Sequence, residues 1–528
     1  MKAHPPALHF PPVYNAAVDL VDRHVAEGRG ERVAFIDDRG VYTYAELARR
    51  VDAAGHALRE LGVEAEQRVL LLMVDSIDFP AVFLGAMKIG AVVVPVSTML
   101  KPADYAFFVR DSRARVVVVS DALVATLDLA LAERPATLKH VVVASSALGG
   151  PAGTVETAHV RLDELTGRAS GPLEAAATSP DEVAFWLYSS GSTGAPKGAV
   201  HLHAHLMRTA SLYGQGVLGI RPDDVVYSAA KLFFAYGLGN ALTFPLSVGA
   251  TAVLCAERAT PAAVARVMRT HRPTIFCGVP TLFASLLADE DIARGGLSPA
   301  LRVSLSAGEG LPRHLGETWQ ERFGTAILDG IGSTEMLHMF ISNRPDDVRY
   351  GTTGKPVPGY DVKLVGEDGE PVPDGEEGSL WVRGPTACAG YWNQRARSLE
   401  TFHGPWTRTG DRYFRDEDGY YTYCGRSDDM LKVGGIWVSP FEVESALTAH
   451  PAVLEAAVVG APDAEGLIKP KAFIVLKPGH TADVALDAEL KSFVKERLAV
   501  YKYPRWIDFV PELPKTATGK IQRFKLRG

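Results

Sequence analysis

The stretch Tyr188-Ser189-Ser190-Gly191-Ser192-Thr193-Gly194-Ala195-Pro196-Lys197-Gly198 follows an apolar run at residues 183–187. An apolar run that ends in small residues predicts a buried strand followed by a loop. Hydroxyl groups, glycine amides and one ammonium group can surround an anion, and glycines let the backbone approach phosphate oxygens closely. The sequence therefore predicts a phosphate-binding loop with the candidate ligands Ser189, Ser190, Gly191, Ser192, Thr193, Gly194 and Lys197.

The loop is not the P-loop of kinases and GTPases. That motif needs a second glycine after four intervening residues, then lysine and then serine or threonine. Counting from Gly191, Pro196 occupies the second glycine position, and Gly198 follows Lys197. A flexible surface loop is the alternative interpretation of a short Gly/Ser-rich match, but the full stretch is more specific.

The stretch resembles the signature of the adenylate-forming superfamily, which comprises acyl-CoA synthetases, luciferases and the adenylation domains of peptide synthetases. The resemblance implies binding of ATP and transfer of AMP to a carboxylate. Further motifs of the superfamily follow in its order, so that the resemblance extends from about residue 30 to residue 520.

Length and composition agree with an enzyme of several packed units. The chain has 528 residues, of which 47% are hydrophobic and 22% are charged, as in ordinary globular proteins. Its net charge of -7 argues against a nucleic-acid-binding surface. The cysteines at 255, 277, 388 and 424 form no CxxC pair, so reduced thiols are expected rather than a zinc site or a disulfide framework.

The N-terminus and the hydropathy pattern predict a cytoplasmic protein without a membrane span. Residues 1–12 contain prolines and histidines where a secretory signal needs a basic start and an apolar run. No continuous apolar stretch is long enough for a transmembrane helix. A monomer and a homodimer are both compatible with the sequence.

Strands and helices alternate in the first part of the chain. Strands are predicted at 33–37, 41–43, 68–73, 91–95 and 116–119, and a helix is predicted at 79–89. Continuous β-branched runs separated by helices indicate parallel strands covered on both faces. Thr43 and Glu46 form a predicted capping box, and the Gly-, Ala-, Ser- and Thr-rich segment 144–179 predicts irregular structure.

The fold class is therefore α/β, and the resemblance divides it into two domains. The larger, 1–427, has αβα-type subdomains with a β-rich portion and binds ATP and the acid. The smaller, 428–528, is a mobile α+β domain that carries a catalytic lysine.

Two glycine-containing segments are candidates for the nucleotide site. Residues 306–312 follow a predicted strand and resemble the segment that packs against adenine, with Gly308 and Glu309 as its candidate ligands. Residues 329–335 place glycines beside side-chain oxygens, and Mg²⁺ needs a carboxylate near phosphate. A solvated or helix-capping carboxylate is the alternative for Glu335. The resemblance favours Mg²⁺ at Glu335, a catalytic role for Thr334 and ATP contacts for Asp329, Gly330 and Ile331.

An aromatic segment and a histidine are candidates for the acid site. Residues 231–239 contain no charged side chain after Lys231, and an ordinary core helix is the alternative. Together with residues 336–343 the segment resembles the benzoate-CoA ligase group. This implies an aryl pocket lined by Phe234, Ala235, Tyr236, Gly332, His338 and Met339.

The acid pocket departs from the superfamily pattern in two ways. A histidine often stands where this chain has Phe234, so the gate between the pocket and the thiol tunnel is expected to differ. The segment also lacks the acidic residue that an amino-acid-activating enzyme uses to bind the substrate ammonium. A plain carboxylic acid is therefore the expected substrate.

His201, His203 and His205 alternate along the chain directly after the loop. Such alternation would place three rings on one face only if the segment were a strand. We interpret these histidines as structural residues and not as metal ligands.

The remaining motifs lie toward the C-terminus. Asp411 resembles the ribose-binding acid, because an ionised aspartate can accept hydrogen bonds from both ribose hydroxyls. Arg426 is expected to reach the ribose or a phosphate. The resemblance further implies a hinge at Asp428, a CoA-binding loop with Gly434, Gly435 and Trp437, and a catalytic Lys520 in the final PKTxxGK pattern. A hairpin turn is the alternative for the two glycines.

Together these motifs predict a two-step ligase that uses ATP, Mg²⁺ and coenzyme A. Benzoate would be converted to benzoyl-AMP and then to benzoyl-CoA. Alternatives are another aryl acid such as hydroxybenzoate, aminobenzoate or cinnamate, a medium-chain fatty acid, and a non-catalytic adenylate-binding protein.

Overall fold

A computed structural model describes residues 8–149, 159–169, 171–189, 196–427, 429–433, 436–463, 467–515 and 521–527. It is a mixed α/β structure with a large N-terminal part and a smaller C-terminal part. The predicted fold class is confirmed. None of the helices in the described ranges is both long enough and apolar enough to span a bilayer.

The strands of the large part are numbered in chain order. They are β1 Val33–Asp37, β2 Gly40–Thr43, β3 Arg68–Leu72, β4 Val92–Pro95, β5 Val116–Ser120, β6 His140–Ala144, β7 Val160–Arg161, β8 Val183–Ser189, β9 Lys197–Leu202, β10 Val225–Ser228, β11 Thr251–Val253, β12 Ile275–Gly278, β13 Val303–Ser306, β14 Ile327–Gly332, β15 Met339–Ser342, β16 Lys355–Pro356, β17 Asp361–Val365, β18 Glu377–Arg383, β19 Phe402–His403, β20 Trp406–Arg415 and β21 Tyr421–Arg426. The strands of the small part are β22 Leu431–Val433, β23 Ile436–Val438, β24 Val453–Pro462, β25 Ile468–Leu476 and β26 Trp506–Phe509.

The α-helices are numbered in the same way. They are α1 Arg23–Ala26, α2 Tyr44–Glu60, α3 Asp78–Lys88, α4 Pro102–Ser112, α5 Val124–Ala130, α6 Leu162–Arg168, α7 His203–Thr209, α8 Ala235–Leu238, α9 Phe244–Val248, α10 Pro261–His271, α11 Pro280–Ala288, α12 Glu290–Gly295, α13 Arg313–Phe323, α14 Arg395–Thr401, α15 Pro440–Thr448 and α16 Val484–Arg497. Turns of π-helix at Val18–Asp22, Ala210–Gln215 and Gly239–Thr243 adjoin α1, α7 and α8.

Two largely parallel sheets form the centre of the large part. One has the order β7-β6-β5-β3-β4-β8-β9, and the other has the order β16-β15-β14-β13-β12-β10-β11-β1-β2. Strand β5, Val116–Ser120, is buried along its whole length, as expected for a parallel strand covered on both faces. A third, antiparallel sheet with the order β17-β18-β20-β19, in which β21 also pairs with β20, is the β-rich portion.

The local predictions near the N-terminus are confirmed. Strands β1 and β2 pair as an antiparallel hairpin. Thr43 Oγ1 accepts a hydrogen bond from the Glu46 amide at 3.2 Å, and Glu46 Oε2 accepts one from the Thr43 amide at 2.9 Å. This reciprocal pair is the predicted capping box at the start of α2.

The prediction of irregular structure at 144–179 is wrong in part. Strand β7 pairs in parallel with β6, and α6 follows it directly. Leu162 and Leu165 of α6 are buried, so the helix is stabilised by tertiary packing. Its two apolar residues did not stand out in a segment rich in small and polar residues.

Two hairpins place the candidate site residues. In β8 and β9, Ser189 pairs with Lys197, so the two ends of the predicted phosphate loop lie side by side. In β14 and β15, Gly332 pairs with Met339. The segment between β14 and β15 therefore leaves the sheet and returns to it, and it contains Thr334, Glu335 and His338.

The small part contains a mixed three-stranded sheet with the order β24-β25-β26. Strands β24 and β25 are antiparallel, β26 joins β25 in parallel, and α15 packs against β24. Strands β22 and β23 pair antiparallel, with Val433 opposite Ile436. The strands on either side of Gly434 and Gly435, in the predicted CoA-binding segment, are therefore paired with each other.

Candidate active site

The Glu335 carboxylate is held by groups from both ends of the phosphate loop and by Tyr391. Tyr391 Oη donates a hydrogen bond to Glu335 Oε1 at 2.7 Å, and Ser189 Oγ donates to the same oxygen at 3.3 Å. Lys197 Nζ lies 3.8 Å from that oxygen and donates to Tyr391 Oη at 3.2 Å. We call these four side chains, Ser189, Lys197, Glu335 and Tyr391, the carboxylate cluster.

The other members of the carboxylate cluster, Ser189, Lys197 and Tyr391, keep Glu335 ionised. Burial raises the pKa of Glu335, but the Lys197 ammonium and the hydrogen bonds from Tyr391 and Ser189 outweigh this effect, so the pKa is lowered overall. A buried charge is tolerated when it is both paired and hydrogen-bonded. The cluster can therefore present a fixed negative charge at neutral pH.

His201 links the phosphate hairpin to the segment that carries Glu335. Its Nε2 atom donates a hydrogen bond to the Thr334 carbonyl at 2.8 Å, and its ring stacks on Phe185 with centroids 5.2 Å apart. His201 lies in β9, whereas His203 and His205 lie in α7, so the three histidines do not share a strand face. His203 Nδ1 accepts a hydrogen bond from the Ala16 amide at 3.2 Å.

His338 lies in an aromatic environment close to the carboxylate cluster in sequence. Its ring centroid is 4.6 Å from that of Phe244, 5.2 Å from that of Tyr213 and 5.7 Å from that of Tyr236. Burial lowers the pKa of His338 to about 3, so the ring is neutral at neutral pH. The structure thus brings His338 and Tyr236 together in an uncharged surface. We call His338, Tyr236, Tyr213 and Phe244 the aromatic wall.

The aromatic wall contains buried polar atoms that have no hydrogen-bond partner among the described residues. By strict distance and angle they are Tyr236 Oη, both ring nitrogens of His338, and both amide atoms of the neighbouring Asn240; Asn240 interacts only weakly with the Tyr236 hydroxyl, and His338 only weakly with the Tyr236 backbone. Asn240 follows Tyr236 by one helical turn. An unpartnered buried polar atom costs about 1–3 kcal/mol, so a ligand that reached these atoms could recover part of that cost.

Glycines allow the backbone to approach this wall closely. A Cβ atom added at Gly239 would lie 2.3 Å from His338 Cδ2, and one added at Gly332 would lie 2.5 Å from the His338 carbonyl oxygen. At Gly330 an added Cβ would lie 2.5 Å from Met339 Sδ. Gly330 and Gly332 are therefore needed for the β14–β15 pairing, in addition to any ligand contact.

The turn between Glu335 and His338 is strained. Leu337 has a φ of 66°, a left-handed conformation that is uncommon for a residue with a branched side chain. The His338 amide donates to the Met336 carbonyl at 2.8 Å. Such local strain is concentrated at functional sites in many proteins, and here it lies between Glu335 and His338.

The residues predicted to contact the nucleotide lie in or directly after two neighbouring strands, β13 and β14. Ser306 of β13 pairs with Asp329 of β14, and Gly308 follows with a φ of 96°. Burial raises the pKa of Asp329 well above its usual value, and Asp329 Oδ1 has no hydrogen-bond partner within the described ranges. Gly330 and Ile331 continue β14 toward Glu335.

The predicted ribose residues face each other on neighbouring strands. Asp411 and Arg426 are register partners in β20 and β21. Arg426 Nη1 lies 3.2 Å from Asp411 Oδ1 and donates to the Thr409 carbonyl at 3.2 Å. Gly410 has a φ of 79°, and an added Cβ there would lie 2.8 Å from Arg426 Nη2, so a glycine is required beside this pair.

The other predicted residues divide into two groups. Phe234 directly precedes α8 and Ala235 begins it, and both are partly buried against the main core; Met339 is buried in β15. The rest of the predictions lie outside the described residues: Ser190, Gly191, Ser192, Thr193, Gly194, Asp428, Gly434, Gly435, Lys520 and the side chain of Trp437.

Sequence reasoning missed Tyr391 and Asn240. Tyr391 is separated from Glu335 by 56 positions in the chain, so no local spacing links the two. Asn240 lies one turn beyond the predicted acid-binding segment. The i,i+4 spacing from Tyr236 is the signal that could have identified it.

The donor set around Glu335 fits Mg²⁺ that binds together with a nucleotide. In the part of the chain that the structure describes, no group of three or more His, Cys, Asp or Glu side chains could hold a metal ion. Mg²⁺ commonly takes one or two protein carboxylates and completes its coordination with phosphate and water. The ionised Glu335 beside a predicted phosphate loop meets that requirement.

Comparison with known proteins identifies the family. The AMP-binding enzyme family matches residues 22–392, and the AMP-binding enzyme C-terminal domain matches residues 442–520. The chain belongs to the AMP-binding enzyme family.

Several AMP-binding enzymes are similar to this one over nearly their whole length. A benzoate-CoA ligase of Thauera aromatica is 58% identical over 525 residues, which is 99% of this chain and 97% of that one. A 4-hydroxybenzoate-CoA/benzoate-CoA ligase of Rhodopseudomonas palustris is 50% identical and covers 97% of this chain and 94% of its own. The structure of a benzoate CoA ligase from Burkholderia xenovorans LB400 matches with a TM-score of 0.90 and 52% identity, covering 98% of this chain and 100% of that chain.

An AMP-binding enzyme with a bound adenylate has a similar structure. An anthranilate CoA ligase, solved in complex with anthranoyl-AMP, matches with a TM-score of 0.93 at 44% identity and covers 98% of this chain and 97% of that chain. The superfamily resemblance of the sequence motifs is thereby confirmed.

Proposed function

We propose that this AMP-binding enzyme is an AMP-forming benzoate-CoA ligase. It converts benzoate, ATP and coenzyme A to benzoyl-CoA, AMP and pyrophosphate through benzoyl-AMP. Similarity over nearly the whole chain, at 50–58% identity, to ligases named for benzoate supports this substrate.

One structural observation carries the proposal. The uncharged ring of His338, whose centroid lies 5.7 Å from that of Tyr236, follows the ionised Glu335 by three positions in the chain. A flat aryl ring fits apolar and aromatic walls, while the negatively charged phosphates of ATP need cations and hydrogen-bond donors. The two kinds of surface meet in the segment between β14 and β15.

In the first half-reaction a benzoate oxygen attacks the α-phosphorus of ATP, and pyrophosphate leaves. Lys197 and Ser189 contribute a positive charge and a hydroxyl donor on the phosphate side. Lys520 is assigned to the substrate carboxylate and the α-phosphate, where negative charge gathers during the attack. Mg²⁺ held by Glu335 would reduce the charge on the phosphates.

In the second half-reaction the sulfur of CoA attacks the carbonyl carbon of benzoyl-AMP, and AMP leaves. We assign residues 1–427 and 428–528 to two domains that turn about Asp428 between the half-reactions. This motion withdraws Lys520 and brings Gly434, Gly435 and Trp437 to the pantetheine arm of CoA. Binding of Mg²⁺, a cytoplasmic location, and a monomer or homodimer are further parts of the proposal.

A half-reaction assay tests the mechanism. Lys520→Ala should abolish benzoate-dependent exchange of pyrophosphate into ATP, yet still convert supplied benzoyl-AMP and CoA to benzoyl-CoA. The matched control is Lys525→Ala, which removes an exposed lysine near the C-terminus and should leave both half-reactions unchanged. Loss of both half-reactions in a folded Lys520→Ala variant would contradict the lysine assignment.

A hydroxybenzoate or aminobenzoate is the second candidate substrate. The unpartnered atoms of Tyr236, Asn240 and His338 favour it, because a ring hydroxyl or amino group could bond to them. Asn240→Leu separates the two candidates. If substituted benzoates are the substrates, this variant should lose kcat/KM for them and keep it for benzoate, whereas equal effects on all acids would count against the second candidate.

A further inference from the structure

The chain on both sides of residues 516–520 is brought together by backbone contacts. Lys515 and Ile521 form an isolated antiparallel bridge, and the Gln522 amide donates to the Pro514 carbonyl at 2.7 Å. The two ends of the segment that ends in Lys520 are therefore joined. We call Pro514, Lys515, Ile521 and Gln522 the base of the lysine loop.

Ion pairs anchor this base in the small C-terminal part. Lys515 Nζ donates to Glu455 Oε1 at 2.6 Å. Arg523 forms a two-pronged pair with Glu444, at 2.9 Å from Nε and 2.6 Å from Nη2. Glu444 is buried and also accepts the Val458 amide at 2.7 Å. Lys515 therefore ties the base to β24, and Arg523, the residue that follows the base, ties the chain to α15.

A turn of the large part contacts both the base and α15. The Ile521 amide donates to Glu309 Oε1 at 3.1 Å, across 212 positions of the chain. At Gly310 an added Cβ would lie 2.5 Å from the ring of Phe441 in α15. The turn 308–310 thus docks the small part through one polar and one apolar contact.

We infer that Glu309 is a positioning residue that docks the lysine loop for the first half-reaction. This inference rests on the proposed function and deepens it. Ile521 directly follows Lys520 in the chain, so the bond to Glu309 fixes the backbone next to the lysine at the predicted nucleotide edge. A hydrogen bond from an amide to a carboxylate is charge-assisted and directional.

The inference separates two roles that Glu309 could have. A direct nucleotide ligand lowers the KM for ATP, whereas a docking residue raises the rate of adenylate formation without changing ATP affinity. The inference assigns the docking bond to the conformation that forms the adenylate, because the bond holds the backbone next to Lys520 at the predicted nucleotide edge. Its loss should therefore slow the first half-reaction much more than the second.

The test compares Glu309→Ala, Glu309→Gln and the control Glu317→Ala. Glutamine keeps an oxygen that can accept the Ile521 amide, and Glu317 is a neighbouring surface residue that pairs with Arg313. For each protein, kcat and the KM for ATP are measured by benzoate-dependent pyrophosphate exchange. Conversion of supplied benzoyl-AMP to benzoyl-CoA is measured in parallel and also reports correct folding.

Glu309→Ala should lower the kcat of exchange about tenfold to a hundredfold, with the KM for ATP unchanged and the second half-reaction much less affected. Glu309→Gln should restore most of the rate, and Glu317→Ala should match the unchanged enzyme. Ile521→Pro removes the donor of the same bond, and its effect should not add to that of Glu309→Ala.

Several results would overturn the inference. A raised KM for ATP with kcat intact would make Glu309 a nucleotide ligand instead. Equal losses in both half-reactions, or fully additive effects of Glu309→Ala and Ile521→Pro, would remove the docking role. Absence of pyrophosphate exchange in the unchanged enzyme would instead contradict the proposed function, and with it this inference.

Discussion

Glu335 of the carboxylate cluster and His338 of the aromatic wall lie in one segment, but the two groups of side chains satisfy their polar atoms in opposite ways. Ser189, Lys197 and Tyr391 all interact with the Glu335 side chain. In the wall, by contrast, the polar atoms of Tyr236 and His338 have no hydrogen-bond partner among the described residues. The difference indicates that hydrogen bonds and an ion pair orient the Glu335 carboxylate, whereas aromatic packing orients the His338 ring.

The largest expected effect comes from removing the charge of the cluster. Glu335→Gln keeps the shape of the side chain but leaves Lys197 without its anion. We expect the kcat of pyrophosphate exchange to fall about 100- to 1,000-fold, with little change in the KM for benzoate. Steady-state exchange kinetics measure both values, and a change confined to the KM for benzoate would contradict the assignment of Glu335 to the phosphate side.

A change in the aromatic wall should raise the KM for benzoate, whereas the change at Glu335 should lower kcat. Gly239→Ala would place a methyl group 2.3 Å from His338 Cδ2, so the ring must shift. We expect the KM for benzoate to rise about tenfold, with the KM for ATP unaffected. Gly167→Ala is the matched control, because an added Cβ there meets no atom within 4 Å. An unchanged KM for benzoate would remove His338 from the acid site.

Removing one hydrogen bond from the cluster should have a smaller effect than removing its charge. Tyr391→Phe deletes the donor to Glu335 and the acceptor for Lys197, and we expect kcat to fall about fivefold to tenfold. Because this donor helps to lower the pKa of Glu335, the acidic limb of the pH profile should move to higher pH. A profile that does not move would show that Lys197 alone controls the ionisation.

The last expected effect concerns the pH dependence of stability and not the rate. Because burial lowers the pKa of His338 to about 3, the unfolded chain binds a proton below about 6.5 that the folded protein does not. Stability from this residue is complete above that pH. It is lost as the pH falls toward 3, at up to about 1.4 kcal/mol per pH unit.

The thermal midpoint of unfolding measures this effect. Between pH 7 and pH 5, it should fall more for the unchanged enzyme than for His338→Gln, whose side chain does not titrate. The other buried histidines are present in both proteins and cancel in the comparison. Glu335, whose pKa is lowered, loses its contribution only at more acidic pH. Equal decreases in the two proteins would contradict the burial of a neutral His338.

The sequence predicted the parts of the site whose residues lie close together along the chain. The β8–β9 hairpin joins the ends of the predicted phosphate loop, and the segment 329–339 carries its candidate residues on one hairpin. Tyr391 could not be predicted, because its bond to Glu335 depends on tertiary folding. The sequence does name Glu309 as a candidate nucleotide ligand, but its bond to the Ile521 amide depends on tertiary folding and could not be predicted.

Composition did not predict secondary-structure elements that depend on a few buried residues. Segment 144–179 includes β7 and α6, although its small and polar residues predict irregular structure. The requirement for Gly332 also has a structural component that the sequence did not reveal, namely the close approach of the His338 carbonyl. Both effects depend on how strands pair in the folded chain, β6 with β7 and β14 with β15, and composition does not reveal that pairing.

The most direct test of the central proposal is the acid preference of the purified enzyme. AMP release would be measured with ATP, Mg²⁺ and CoA across benzoate, hydroxybenzoates, aminobenzoates, fluorobenzoates, cinnamate and hexanoate. The proposal predicts that benzoate gives the highest kcat/KM and that hexanoate and cinnamate give little product. A higher kcat/KM for hexanoate or cinnamate would contradict an aryl pocket built on Tyr236, Gly332 and His338.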